Sequence, residues 1–213
     1  MNITKIFVFC IIAFFGLVLL PAPTDACSCA AEHPQTKYCN SEYVIYAYLT
    51  RRYLRFANNQ IGYQFRVEKI LKTSGKLIPN VQLSPKKRTI VLTTSPSDAS
   101  CGVHLRPGRS YVIAARSTHI GICDYIKEYK KMTIVERRGV MGIYAKGCSC
   151  DIKTCFTNDC PAEEGTCSWS FLSPCETDYG VCIPTRGYNG PGEKPSKCHW
   201  KKSSPYLSCI LAP

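Results

Sequence analysis

Fifteen cysteines in 213 residues constrain this chain more than any other feature, because they decide where it can fold and what holds it together. The compartment is read from the first residues. Lys5 precedes an unbroken apolar run, Ile6 to Leu20, and Pro21-Ala22-Pro23-Thr24-Asp25-Ala26 follows. A basic start, a short apolar middle and a small-residue exit ending in Ala26 are the pattern of a secretory signal peptide. The run is shorter than the roughly 20 apolar residues that span a bilayer. Cleavage after Ala26 removes residues 1–26 with Cys10, leaving fourteen cysteines in 187 residues. An even count in an exported chain predicts a disulfide framework, and oxidising conditions consume the thiolates that zinc or iron–sulfur sites need. The expected location is therefore secreted, in the extracellular space or matrix, and no other apolar run is long enough to span a membrane.

Lys5 and Asp25 cancel, so the net charge of +12 survives loss of the leader. In an exported protein that balance points to sulfated glycosaminoglycans and argues against nucleic acid. The short basic groups Lys86-Lys87-Arg88, Lys130-Lys131, Arg137-Arg138 and Lys201-Lys202 read equally well as solvated surface faces. The single Asn-x-Ser/Thr acceptor, Asn2-Ile3-Thr4, falls in the leader, so no standard N-linked glycan is expected.

Strand signals dominate from Tyr43 to Ala115. Aromatic and β-branched residues cluster in Val44 to Leu49, Gly62 to Ile70, Thr89 to Thr94 and Ser110 to Ala115. Turn chemistry separates them at Asn58-Asn59, Ser74-Gly75, Ser95-Pro96-Ser97 and Pro107-Gly108. One stretch reads as helical: Met132, Val135, Val140 and Ile143 recur at about helical period, and Thr133 with Glu136 forms a capping box. Gly139 and Gly142 oppose a continuous helix there. Cysteine density then rises, with five between residues 27 and 147 and nine between 148 and 213. This shift predicts a strand-rich unit over 27–148 and a disulfide-dependent subdomain over 149–213.

No enzyme signature is present. The four histidines, His33, His104, His119 and His199, form no His-Glu-x-x-His, and neither Gly-x-Ser-x-Gly nor a phosphate-cradling glycine loop occurs. Cys27-Ser28-Cys29 instead stands directly after the predicted cleavage site. An α-amine titrates at about 7.7–8.0, so part of it is neutral at physiological pH and can donate to a metal. With the carbonyl oxygen of the same residue it forms a five-membered chelate. Spacing alone also admits a plainer reading, two half-cystines that pin an end that would otherwise fray.

The segment Cys27-Ser28-Cys29-Ala30-Ala31-Glu32-His33-Pro34-Gln35-Thr36-Lys37-Tyr38-Cys39-Asn40-Ser41-Glu42-Tyr43-Val44-Ile45 resembles the opening of the tissue inhibitors of metalloproteinases. The likeness continues through Cys101-Gly102, Cys123, Arg137-Arg138-Gly139, Gly147-Cys148-Ser149-Cys150 and Cys198-His199-Trp200. It implies a mainly β protein: an OB-fold, five-stranded β-barrel with flanking helices over 27–148, and a small disulfide-rich C-terminal β subdomain. It implies the bridges Cys27–Cys101, Cys29–Cys123, Cys39–Cys148, Cys150–Cys198, Cys155–Cys160 and Cys167–Cys182. Cys175 and Cys209 stand outside the usual twelve-cysteine pattern and are expected to bond to each other.

The resemblance further implies a non-enzymatic inhibitor of zinc metalloendopeptidases, matrix metalloproteinases and relatives, acting as a monomer in a 1:1 complex. Cys27 would chelate the target's zinc, and the chain would carry no cofactor of its own. Ser28 would enter the adjoining specificity pocket, with Cys29 and Ala30 along one side of the cleft and Ser97, Asp98, Ala99 and Ser100 along the other. Ala31, Tyr46 and Tyr48 depart from the vertebrate pattern, which has a proline and then basic residues there. The short connection Arg51 to Gln60 suggests a modest first hairpin. The competing readings are a netrin-like extracellular binding module without protease inhibition, and a basic host-defence protein acting on membranes. Against the first stands the position of Cys27 at the cleavage site; against the second, the lack of an amphipathic cationic helix.

Overall fold

The computed structural model describes residues 27–54, 56–74, 82–84, 87–156, 160, 163–170, 172–185, 195 and 197–212. The predicted signal peptide, Gly75 and the Asn189-Gly190-Pro191-Gly192 turn lie outside them.

The strands follow from β-branched and aromatic residues alternating between two apolar environments. β1 (Tyr43–Tyr53), β2 (Ile61–Thr73), β3 (Gln82–Ser84), β4 (Lys87–Thr94), β5 (Ser110–Ala115) and β6 (Tyr125–Glu128) form one antiparallel sheet in the order β3-β4-β2-β1-β5-β6. On one face Tyr43, Ile45, Ala47 and Leu49 of β1 pack with Tyr63 and Phe65 of β2, Ile90 and Leu92 of β4, and Ile113 of β5. On the other, Val44 of β1 and Val112 and Ala114 of β5 pack beneath the helical segments. The sheet centre is thus buried on both faces.

The β1–β2 register slips at three places, between Val44 and Ile45, Tyr46 and Ala47, and Leu49 and Arg51. Such bulges bend a strand and increase its twist. The sheet curls until Thr93 at the end of β4 meets the connection between β5 and β6: Thr93 N–H donates to Thr118 O at 2.8 Å, and Ile120 N–H to Thr93 O at 2.7 Å. Among the described residues no ladder joins β6 to β3 or β4, so the sheet remains open. The barrel expectation counted five strands. The structure has those five long or mid-length strands plus the three-residue edge strand β3.

Among the described residues four short α-helices complete the fold: α1 (Pro34–Asn40), α2 (Ile134–Arg138), α3 (Pro174–Tyr179) and α4 (Ser204–Ile210). The capping box of α2 is present, Thr133 Oγ1 accepting from Glu136 N–H at 3.1 Å and Glu136 accepting from Thr133 N–H at 2.8 Å. Glu136 is buried, and Lys127 neutralises it at 2.7 Å. The expected single helix ends early. Gly142 adopts φ 133°, which only glycine holds without strain, and a π-turn (Gly139–Ile143) and a 3-10 turn (Tyr144–Gly147) follow α2. The ring of Tyr144 lies where a Cβ on Gly139 would sit, 2.4 Å away, so this bend fills the core under β5.

After Gly147 the elements shrink to two paired ribbons, β7 (Asp151–Cys155) with β8 (Thr166–Ser170), and β9 (Cys182–Pro184) with β10 (Cys198–Trp200). β7 and β8 are parallel. Their small core is built on Cys150, Cys167 and Cys182 with Ile152, Cys198 and Trp200 against them.

Candidate functional site

Residues 27–30 run without regular structure before α1, with Cys27 and Cys29 half-buried and Ser28 and Ala30 exposed. Two disulfides hold them. Cys27 bonds to Cys101 with Cα atoms 5.2 Å apart, and Cys29 to Cys123 with Cα atoms 5.4 Å apart. The sulfurs of Cys27, Cys29 and Cys123 lie within 4.8 Å of one another, so the two bridges sit side by side.

Each bridge ends on a loop with its own internal bracing. Ser97 O accepts from Ser100 N–H at 3.2 Å and from Gly102 N–H at 2.9 Å, and the hydroxyls of Ser97 and Ser100 are 2.8 Å apart. This fixes the 3-10 turn Asp98–Ser100, and Cys101 closes it in the left-handed region at φ 63°. Gly102 is required here because a Cβ would fall 2.3 Å from Ser95 O. The second loop is tied by Gly121 N–H to Asp124 Oδ2 at 2.8 Å, and to the first loop by Ile122 N–H to Cys101 O at 3.1 Å. Ser97, Asp98, Ala99 and Ser100 are all exposed, and disulfide Cys27–Cys101 brings their turn beside the Cys27 strand. Asp98 also meets His104 at 2.9 Å, an exposed pair of small energetic weight.

Behind Cys29 and Ala30 lies a cavity of about 350 Å³ reaching Lys37, Arg116 and Asp124. Burial raises the Asp124 carboxyl above its ordinary range, opposed by the Gly121 hydrogen bond and by the charges of Lys37, Arg116 and His119. The two groups of clustered cysteine sulfurs, Cys27/Cys29/Cys123 and Cys150/Cys182/Cys198, are consumed in disulfides and offer no thiolate to a metal.

The segment after the exposed residues anchors the whole strand, which its sequence alone does not reveal. His33 and Gln35 are each 1% exposed. His33 caps α1, its Nδ1 accepting from Gln35 N–H at 3.1 Å, so Nε2 carries the proton and donates to Glu176 O at 2.9 Å. Trp169 and Trp200 enclose its ring at 5.6 Å and 5.2 Å. Burial lowers its pKa from 6.5 to about 4, the Glu176 hydrogen bond opposing the shift. Gln35 pairs with Cys182 as a neighbouring strand would, accepting from Cys182 N–H at 2.9 Å and donating to Cys182 O at 2.8 Å, and it also donates to Gly147 O at 3.1 Å. Lys72 then closes the far end of α1, donating to Tyr38 O, Cys39 O and Ser41 O at 2.7–2.9 Å. His33-Pro34-Gln35 therefore joins the sheet to the C-terminal ribbons. The signal that could have found it is a polar pair flanking a proline in a chain whose only two tryptophans, Trp169 and Trp200, fall far downstream.

The remaining disulfides link Cys39 to Cys148, Cys150 to Cys198, Cys155 to Cys160, Cys167 to Cys182 and Cys175 to Cys209. The last ties α3 to α4.

A family model described as Tissue inhibitor of metalloproteinase matches residues 25–200. The chain belongs to this family. It is 32% identical over 206 residues to the tissue inhibitor of metalloproteinase of Drosophila melanogaster, covering 95% of this chain and 92% of the relative. It is 30% identical over 201 residues to metalloproteinase inhibitor 3 of Xenopus laevis, covering 90% and 87%. With metalloproteinase inhibitor 2 of Homo sapiens it shares 31% over 156 residues, 66% of this chain and 67% of the relative. Members of the family are protease inhibitors, not enzymes, in keeping with a tissue-inhibitor sequence that carries no catalytic motif. Among the described residues no helix is long and apolar enough to cross a membrane.

Proposed function

We propose that this tissue inhibitor of metalloproteinase family member, secreted and cleaved after Ala26, blocks zinc metalloendopeptidases by presenting the Cys27 amine and carbonyl to the target's catalytic zinc. The observation that carries the reading is the double anchoring of residues 27–30. Two adjacent disulfides fasten an exposed strand to two braced loops, so the ordering cost of binding is met before the enzyme arrives. Ser28, exposed between the two half-cystines, enters the pocket beside the zinc; Cys29 and Ala30 lie along one side of the cleft, and Ser97, Asp98, Ala99 and Ser100 along the other. The zinc is the enzyme's. No scissile peptide stands at the metal, so the complex is stable and 1:1.

This reading divides the chain into an inhibitory OB-type unit over 27–148 and a C-terminal subdomain over 149–213. Matrix metalloproteinases are the first targets to try, and the +12 charge favours retention on sulfated glycosaminoglycans. The test compares protein beginning at Cys27 with protein carrying one added alanine before it, titrated against a matrix metalloproteinase catalytic domain cleaving a fluorogenic peptide. Stoichiometric inhibition by the first and none by the second is expected. Equal inhibition by both overturns the chelation; inhibition by neither across a panel of such enzymes replaces the reading with a netrin-like binding module.

A further inference from the structure

The outer face of the sheet is covered by helical segments over Val44, Val112 and Ala114, but this cover stops short of the far end of β1. There a cavity of about 260 Å³ opens, lined by Tyr46, Tyr48 and Tyr129 with Arg109, Glu128 and Lys130. The rings are held in place. Tyr46 and Tyr129 lie 4.8 Å apart at 51°, Arg137 stacks on Tyr129 at 4.7 Å, and Arg66 stacks on Tyr48 at 5.1 Å. Arg109 approaches Glu128 at 3.7 Å, too far for a hydrogen bond. Among the described residues the three phenol hydroxyls have no hydrogen-bond partner.

Rigid aromatic walls with a few convergent polar groups are the anatomy of a small-ligand pocket. The chemistry is specific. Tyrosine rings pack against the C–H faces of a sugar, their hydroxyls and Glu128 meet its hydroxyls, and Arg109 with Lys130 outweighs the one carboxylate, favouring an anionic substituent. The volume falls just under the roughly 300–1,000 Å³ of drug-sized sites, which suits one ring and not a chain laid through it. We propose that this cavity binds a single acidic sugar ring, a hexuronate or its sulfated equivalent, with the acid group on Arg109 and Lys130 and the ring against Tyr46 and Tyr48. It shares no lining residue with the cavity behind Cys29, so the two are separate sites.

The ligand can be a free sugar acid or the end of a glycan, and the experiment separates these. Full mature protein is titrated with sodium glucuronate and with glucose by saturation-transfer NMR. Tetrasaccharides carrying glucuronate either terminally or only internally follow. Glucuronate should bind with a Kd of about 1 mM, and glucose about tenfold more weakly. Lys130→Ala should weaken glucuronate about tenfold, and Tyr48→Ala should abolish its signal while protease inhibition by both variants is retained. Tighter binding of the terminal tetrasaccharide than of free glucuronate identifies a glycan end as the source; equal binding identifies the free acid. No saturation transfer from glucuronate, equal binding of glucose, or wild-type binding by Lys130→Ala overturns the proposal, as does binding of the internal tetrasaccharide as tight as the terminal one.

Discussion

Residues 27–147 and 148–212 of this chain are stabilised by different means. The first region buries two apolar clusters on opposite faces of one sheet, and its cysteines tie down the edges, Cys27 and Cys29 in the irregular segment before α1 and Cys39 at the end of α1. Among the described residues the second has no comparable cluster of its own. Half-cystines make up much of what it buries, beside Trp169, Val181 and Tyr206, and large apolar side chains such as Phe156, Leu172 and Leu211 remain exposed. Where side chains can be sandwiched, cross-links are fasteners; where they cannot, cross-links become the core. The two regions meet at a polar joint, His33 and Gln35 against Glu176 and Cys182, beside which Thr133 donates to Asp178 O and Val181 packs into the second apolar cluster.

The most damaging single change should be Phe65→Ala. Phe65 is fully buried on the first face, and truncating such a ring costs about 3–5 kcal/mol, so the sheet's unfolding transition should shift strongly in denaturant while m is unchanged. A loss below about 1 kcal/mol would show that the sheet, too, depends mainly on its bridges. Replacing Cys167 and Cys182 together by serine should cost the C-terminal ribbons about 2–5 kcal/mol. Amide protection should fall after residue 147 and persist in β1, β2 and β5; uniform loss across both regions would dissolve the distinction.

Gln35→Ala is expected to cost about 1–3 kcal/mol, since it strands the Cys182 N–H and two carbonyls in the joint. The sign of success is one melting transition becoming two. A further effect is pH-dependent. The buried ring of His33 titrates at about 4 when folded against 6.5 for an ordinary histidine, so its contribution is complete above pH 6.5 and is lost as pH falls toward 4. The slope should be at most about 1.4 kcal/mol per pH unit. His33→Phe should flatten that part of the stability curve, and an unchanged slope would place the sensitivity elsewhere.

Local pattern made the strands legible. Val44 to Leu49 and Ser110 to Ala115 carry clusters of β-branched and aromatic residues that the structure makes into strands, and Thr133 with Glu136 announced its cap. The bend at Gly142 was signalled only as an objection to the helix. Burial of β1 on both faces could not be read, because Val44, Tyr46 and Tyr48 look like a mixed outer face until the helical segments arrive from far along the chain. The exposed segment was visible as Cys27-Ser28-Cys29, yet its neighbours at Ser97 to Cys101 and Gly121 to Asp124 are joined to it by contacts no local pattern encodes. His33 and Gln35 were legible only as a family motif. Their partners, Glu176 and Cys182, lie more than 140 residues away.

The spacing of the first three bridges has a consequence for biosynthesis. Cys27, Cys29 and Cys39 find partners 74, 94 and 109 residues later. In the secreted chain proposed above, made at about 5–20 residues per second, these thiols enter the oxidising compartment several seconds before Cys101. Until then they can pair only with one another. The segment holding Cys27 and Cys29 is therefore completed late in time, and correct assembly depends on any early bond among these three being reopened by thiol exchange.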